Sequence, residues 1–337
     1  MKTWLCRICA LLVAFSSTDT FGQSDHSKVQ AESIQRALSF LSREVPQWSI
    51  ENNCYSCHNN GDAARALYTA ARLGFRVDRG ALADTTDWLT RPDRWRHNRD
   101  DGELGGKKLA AIQFSFALLD MTETEAVDEK APLLQASKTV AEYQHADGSW
   151  RIVADGTVGS PITYGTFLAT AISLRVLTSA DRKRFKPHIE KADSWLRTHR
   201  PKTVLDAAAT LIGLGTSEDH AAVRQRRLCV GLIQEAQDRS GGWGPFVISA
   251  PEPFDTAVVL LGLSQLGDDA KRRQMIQRGR RYLMEGQFDD GSWPETTRPA
   301  NAESYAQRIA TTGWATLALL ATMTQESHQQ TRKPASQ

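Results

Sequence analysis

The chain has 337 residues, 41% hydrophobic and 24% charged, enough for one large or two ordinary globular domains and unlike a disordered polypeptide. A formal net charge of +2 lacks the basic excess of a nucleic-acid binder, so no nucleic-acid partner is expected. Five cysteines, two of them near the start, are too few and too scattered for a disulfide framework.

Residues 1–22 read as an export signal: Lys2 and Arg7, an apolar run from Ile8 to Phe15 too short to span a bilayer, then small and polar residues. An uncleaved anchor is the competing reading. Cleavage would place the protein in the periplasm or outside the cell, and no later segment reads as a stable membrane span. Residues 30–324 are expected to form one helical domain, and residues 325–337 a polar tail.

The first helical pair is expected over Ser33–Leu41 and Ala63–Leu73, and between them stands Cys54-Tyr-Ser-Cys57-His58. Cys-x-x-Cys-His is the attachment signature of c-type haem: two thiols bond the haem vinyls and the adjacent histidine reaches the iron. Cys54, Cys57 and His58 are therefore the candidate haem c residues, with His58 the proximal iron ligand. A Cys54–Cys57 disulfide, zinc with His58, and no cofactor at all are the alternatives.

A second pair, Ala81–Leu89 with Leu109–Leu119, encloses a loop containing Trp95, His97 and Gly102. Reversal loops of successive hairpins share one end of a closed ring, so His97 is the candidate distal ligand, with His145 next. Arg91, Arg94, Arg96 and Arg99 crowd that loop with Asp93, Asp100 and Asp101, as a self-compensating cluster or an anion clamp.

Four further pairs follow: Leu133–Tyr143 with Thr163–Leu177, Ile189–Leu196 with Asp206–Leu214, Ala221–Ala236 with Thr256–Leu266, and Lys271–Gly286 with Ala310–Ala321. In the last, Met275, Ile276, Tyr282 and Leu283 share one face of a strongly basic helix, whereas Ala310–Ala321 carries no charge. The first is an outer helix; the second must be covered on all sides. Three of these pairs are joined by one phrase: Gln144-His-Ala-Asp-Gly-Ser-Trp150, Gln237-Asp-Arg-Ser-Gly-Gly-Trp243 and Gln287-Phe-Asp-Asp-Gly-Ser-Trp293. Glycine supplies the positive φ of a sharp reversal, tryptophan lies against the next repeat, and glutamine bonds backbone groups left open at helix ends. About six hairpins are enough to close an all-α, α/α toroid.

The phrase resembles the QW repeat of squalene–hopene and oxidosqualene cyclases and the related repeats of protein prenyltransferases, best over Leu133 to Ala321. That resemblance implies a terpenoid-cyclase-like toroid. Those cyclases protonate an alkene with the middle acid of Asp-x-Asp-Asp-Thr-Ala; the corresponding run here is Glu252-Pro-Phe254-Asp255-Thr256-Ala257, with Phe254 in place of the donor and Asp255 expected to cap its helix. Cys229 lacks the setting of the prenyltransferase zinc and is expected to be a buried apolar residue. The leading expectation is an exported toroid carrying covalent haem, acting in electron transfer or haem-dependent redox chemistry with a redox partner protein. The alternatives are an isoprenoid- or lipid-processing enzyme of the squalene cyclase type, with Phe114, Phe116, Tyr164, Phe167 and Trp314 as its apolar wall against a small molecule, and a non-catalytic binding scaffold.

Overall fold

The computed structural model describes residues 18–98, 104–124, 130–152, 158–298 and 304–323; the first seventeen residues of the expected signal and the expected tail 325–337 lie outside it. Twelve α-helices and no strand occur among the described residues. The outer helices are α1 (Thr18–Asn52), α3 (Ala83–Leu89), α5 (Ala131–Glu142), α7 (Lys186–Thr198), α9 (His220–Ala236) and α11 (Ala270–Glu285). The inner ones are α2 (Ala64–Arg72) with the π-helical segment Cys57–Ala63 before it, α4 (Leu104–Thr122), α6 (Thr166–Asp181), α8 (Val204–Leu214), α10 (Pro253–Ser264) and α12 (Tyr305–Ala321). Each inner helix touches the next, and α12 packs on the π-helical segment, α2 and α1, closing the ring.

The repeated phrase is a staple built the same way three times. Trp150, Trp243 and Trp293 are fully buried, and each indole N–H donates at 2.7 Å to the carbonyl ten residues earlier, on Val140, Ile233 and Leu283. Gly148, Gly241 and Gly291 have φ of 98°, 100° and 90°, and a Cβ on any of them would meet a carbonyl oxygen of the next outer helix at 2.4–2.5 Å. The glutamine crosses to that same helix: Gln144 donates to His188 O at 2.9 Å and Gln237 to Met275 O at 3.0 Å. Gln287 donates to Ser33 O at 3.0 Å, so the last staple grips the first helix and ties the ends of the ring.

The unit without the phrase is stapled in reverse, because Gln225 of α9 donates back to His199 O at 2.6 Å. In the first unit Asn60 takes the staple's part, donating to Val45 O at 3.1 Å and to Thr85 Oγ1 at 3.0 Å. Helix α1 is much longer than the expected Ser33–Leu41, since polar stretches on either side of its apolar face continue the winding through Pro46. No described helix is long and apolar enough to cross a membrane.

Candidate functional site

Side chains from several inner elements converge on Asp62. This residue sits in the π-helical segment, whose start is capped by the Ser56 hydroxyl accepting from the amides of His58 and Asn59 at 3.2 and 3.4 Å. The wider π turn turns Asn59, Asn60, Gly61 and Asp62 into the protein, and all four are buried. Such π segments are rare and concentrate at functional sites.

Asp62 is fully buried, yet reached by donors from three other inner elements. The Tyr164 hydroxyl donates to Oδ1, Gln113 Nε2 donates to Oδ2 at 2.7 Å, and the Trp314 indole approaches Oδ2 at 3.4 Å. Desolvation outweighs these donors and the nearby Arg65, so its pKa is pushed up to about 6. Around it Trp314 meets Tyr164 and Phe254 edge-on, each at 5.7 Å between centroids. One turn deeper, the Arg65 guanidinium lies 3.5 Å from the centre of the Phe116 ring and pairs with Asp120 at 2.7 Å.

Tyr164 reaches Asp62 from a backbone that few tyrosines adopt, with φ of 59°. Its amide donates to Ser160 O at 2.8 Å, and a Cβ on Gly159 would stand 2.0 Å from its carbonyl oxygen, so the turn is held by a close approach only glycine permits. A strained residue aimed at a buried carboxyl marks a working site more readily than a structural one.

A second buried carboxyl closes the staple end. Asp255 was expected to cap α10, but Glu252 occupies the cap position, and both Asp255 oxygens accept from Arg298 Nη2 at 3.0 and 2.9 Å in the helix's first turn. Arg298 also pairs with Glu252 at 3.0 Å and donates to Gly159 O at 3.1 Å, joining the third, fifth and sixth hairpins. Burial pushes the Asp255 pKa up to about 7 against the pull of Arg298.

Of the aromatics expected on a central wall, Phe116, Tyr164 and Trp314 are there, and Phe254 joins them. Phe114 instead packs against Trp88 and Trp95, and Phe167 against Trp195, both away from Asp62. Asp62, Arg65, Gln113 and Asp120 were missed in the sequence. The signal that marks them is a polar or charged residue in an otherwise apolar inner helix.

The residues expected to carry haem stay in one turn, Cys57 and His58 at the start of the π-helical segment and Cys54 three residues before it. His58 is drawn inward beside Gln113, whose Nε2 lies 3.4 Å from its Nδ1, and desolvation pushes its pKa down to about 4. Cys57 Sγ lies 3.6 Å from the same ring nitrogen and packs against the core, while Cys54 lines a pocket at the rim. Cys54, Cys57 and His58 are each only partly buried. The His97 loop does run beside the Cys54 turn, where Asn98 bonds both the amide and the carbonyl of Tyr55, but the His97 side chain lies outside the described residues. No group of three or more metal-binding side chains occurs among the described residues. Of the arginine cluster, Arg91 pairs with Asp87 and Arg96 with Glu142. Cys229 is buried, with its thiol pushed up to about 12.

Residues 201–334 match the squalene-hopene cyclase C-terminal domain. The fold is that of the terpenoid cyclases. The type II terpene cyclase MstE from Scytonema, solved as a variant in complex with its substrate geranylgeranyl dihydroxybenzoate, superposes with a TM-score of 0.60 at 13% identity, over 88% of this chain and 98% of that one. The ent-copalyl diphosphate synthase of Streptomyces platensis superposes with a TM-score of 0.51 at 16% identity, over 77% and 50%. A possible member of the GH105 family from Salmonella enterica gives 0.52 at 13%, over 79% and 82%. Comparison with proteins of curated function finds no match. These findings overturn the expectation of a haem-carrying electron-transfer protein: the matched domain and the superposing structures are those of terpenoid-cyclase-like folds.

Proposed function

We propose that the protein is an acid-initiated enzyme of the isoprenoid cyclase type, with Asp62 as proton donor in place of the acid missing at Phe254. The observation that carries this is a desolvated carboxyl with a pKa near 6, set among Phe116, Tyr164, Phe254 and Trp314 at the centre of the ring. Only a carboxyl that still holds its proton can protonate an alkene, and burial keeps the proton on Asp62 up to about pH 6. The proton passes from Asp62 to a terminal alkene carbon, the resulting carbocation is attacked by the next double bond, and proton loss from the cyclised cation restores the acid. Tyr164 and Gln113 orient the carboxyl, and the aromatic rings exclude water and offer π faces to positive charge.

The test is incubation with squalene and with linear C15 to C20 polyprenoids, followed by mass spectrometry of the extract. Cyclised isomers are expected from the native protein below about pH 6. Asp62→Asn should lose at least about a thousandfold in rate while keeping its helical spectrum. An equal product yield from Asp62→Asn, or unchanged polyenes with the native protein, would refute the reading.

A further inference from the structure

The Cys54 to His58 segment is left unused by the central site, and its first half lines a separate pocket of about 320 Å³ at the rim. The end of α1, the turn 53–55, α3 and Asn98 form its walls. That volume is at the low end of small-molecule sites, roughly 300–1,000 Å³.

The pocket is organised rather than incidental. Tyr55 and Trp88 stack face to face, 4.3 Å between centroids and 5° from parallel, as a rigid two-ring slab with aromatic edges and one outer face on each side. Asn98 holds the Tyr55 backbone in place, with its carboxamide donating to the carbonyl at 2.6 Å and accepting from the amide at 3.2 Å. The exposed Asp84 carboxylate is oriented by two hydroxyls, accepting from Tyr55 at 2.6 Å and from Ser49 at 3.1 Å, which leaves a further lone pair on each oxygen. Asn53, held at φ of 48°, is exposed, and its carboxamide makes no hydrogen bond with the described residues.

The unspent groups define the ligand. Beside the stacked aromatic pair stand acceptors on Asp84 and a paired donor and acceptor on Asn53. A lipid chain would strand all of these, and a simple amine would use Asp84 but not Asn53. A sugar ring has an apolar C–H face for the aromatic pair and neighbouring hydroxyls that both donate and accept. We propose that this rim pocket is a saccharide-binding site, independent of the chemistry at Asp62.

The test is titration of the full chain with glucose, galactose, mannose and glucuronic acid, read by saturation-transfer NMR and by tryptophan fluorescence. Saturable binding of at least one sugar is expected. Asp84→Ala and Asn53→Gly, both at exposed positions and the second suited to the positive φ, should each weaken it at least about tenfold. Asp62→Asn should leave it unchanged, so failure here and failure of the cyclase reading are told apart. Absence of saturable binding, binding indifferent to Asp84→Ala, or Asp84-dependent binding of benzylamine but of no sugar would each overturn the proposal.

Discussion

Asp62 makes the stability of the ring depend on pH in a way that one substitution should remove. Its carboxyl titrates near 6 in the folded protein and near 3.8 when solvated, so the folded state holds its proton more tightly than the unfolded one. The corresponding stability is fully present below about pH 4 and is lost as pH rises through 6. At about 1.4 kcal/mol per pH unit, a gap of two units amounts to about 3 kcal/mol. For a chain of this size that corresponds to about 4–6 °C in Tm. Asp62→Asn cannot titrate, so its Tm should fall less than that of the native protein between pH 4 and 7.5, by about this difference. An amide nitrogen in the Oδ2 position would face Gln113 and Trp314, both donors, and any such mismatch would lower Tm at every pH. That offset leaves the slope untouched. Asp255 titrates in both proteins and cancels in the comparison. Differential scanning calorimetry across the range is the assay, and parallel Tm curves would show that Asp62 is not the buried acid described here.

Three other outcomes test the architecture. Gln287→Ala removes the two bonds to Ser33, at 2.8 and 3.0 Å, that bind the last hairpin to the first; a loss of about 2–3 kcal/mol is expected, with faster amide exchange concentrated in α1. Gly241→Ala places a methyl 2.5 Å from Arg278 O at φ of 100°, and chemical denaturation should show a loss above about 3 kcal/mol, whereas Gly231→Ala, which meets nothing within 4 Å, should be neutral or stabilising. Arg65→Met strands Asp120 in the core without its partner and should cost about 3–5 kcal/mol by the same measurement, with Arg65→Met/Asp120→Leu recovering much of it.

Much of the fold was legible because its signals are local and repeated. A glycine in the staple turns, a basic outer face over Lys271–Gly286 and an uncharged run over Ala310–Ala321 each act within a few residues, and the hairpins followed in order. The central site was harder to read. Asp62, Gln113, Tyr164 and Trp314 lie on four separate hairpins, and no spacing along the chain announces that Tyr164 will bond a carboxyl 102 residues away. The Cys-x-x-Cys-His spacing led to an electron-transfer reading that the matched domain and fold overturn. A motif specifies which side chains are near one another in sequence, but the π-helical winding decides that His58 turns toward Gln113 while Cys54 stays at the rim.

Periodicity and turn chemistry by themselves determined an all-helical chain of six paired units, because helix winding and reversal depend on neighbours a few residues apart. Only the tertiary structure decided what the closed ring encloses. Burial is a property of three-dimensional surroundings, and it is burial that turns Asp62 from one aspartate among many into a carboxyl that titrates near 6.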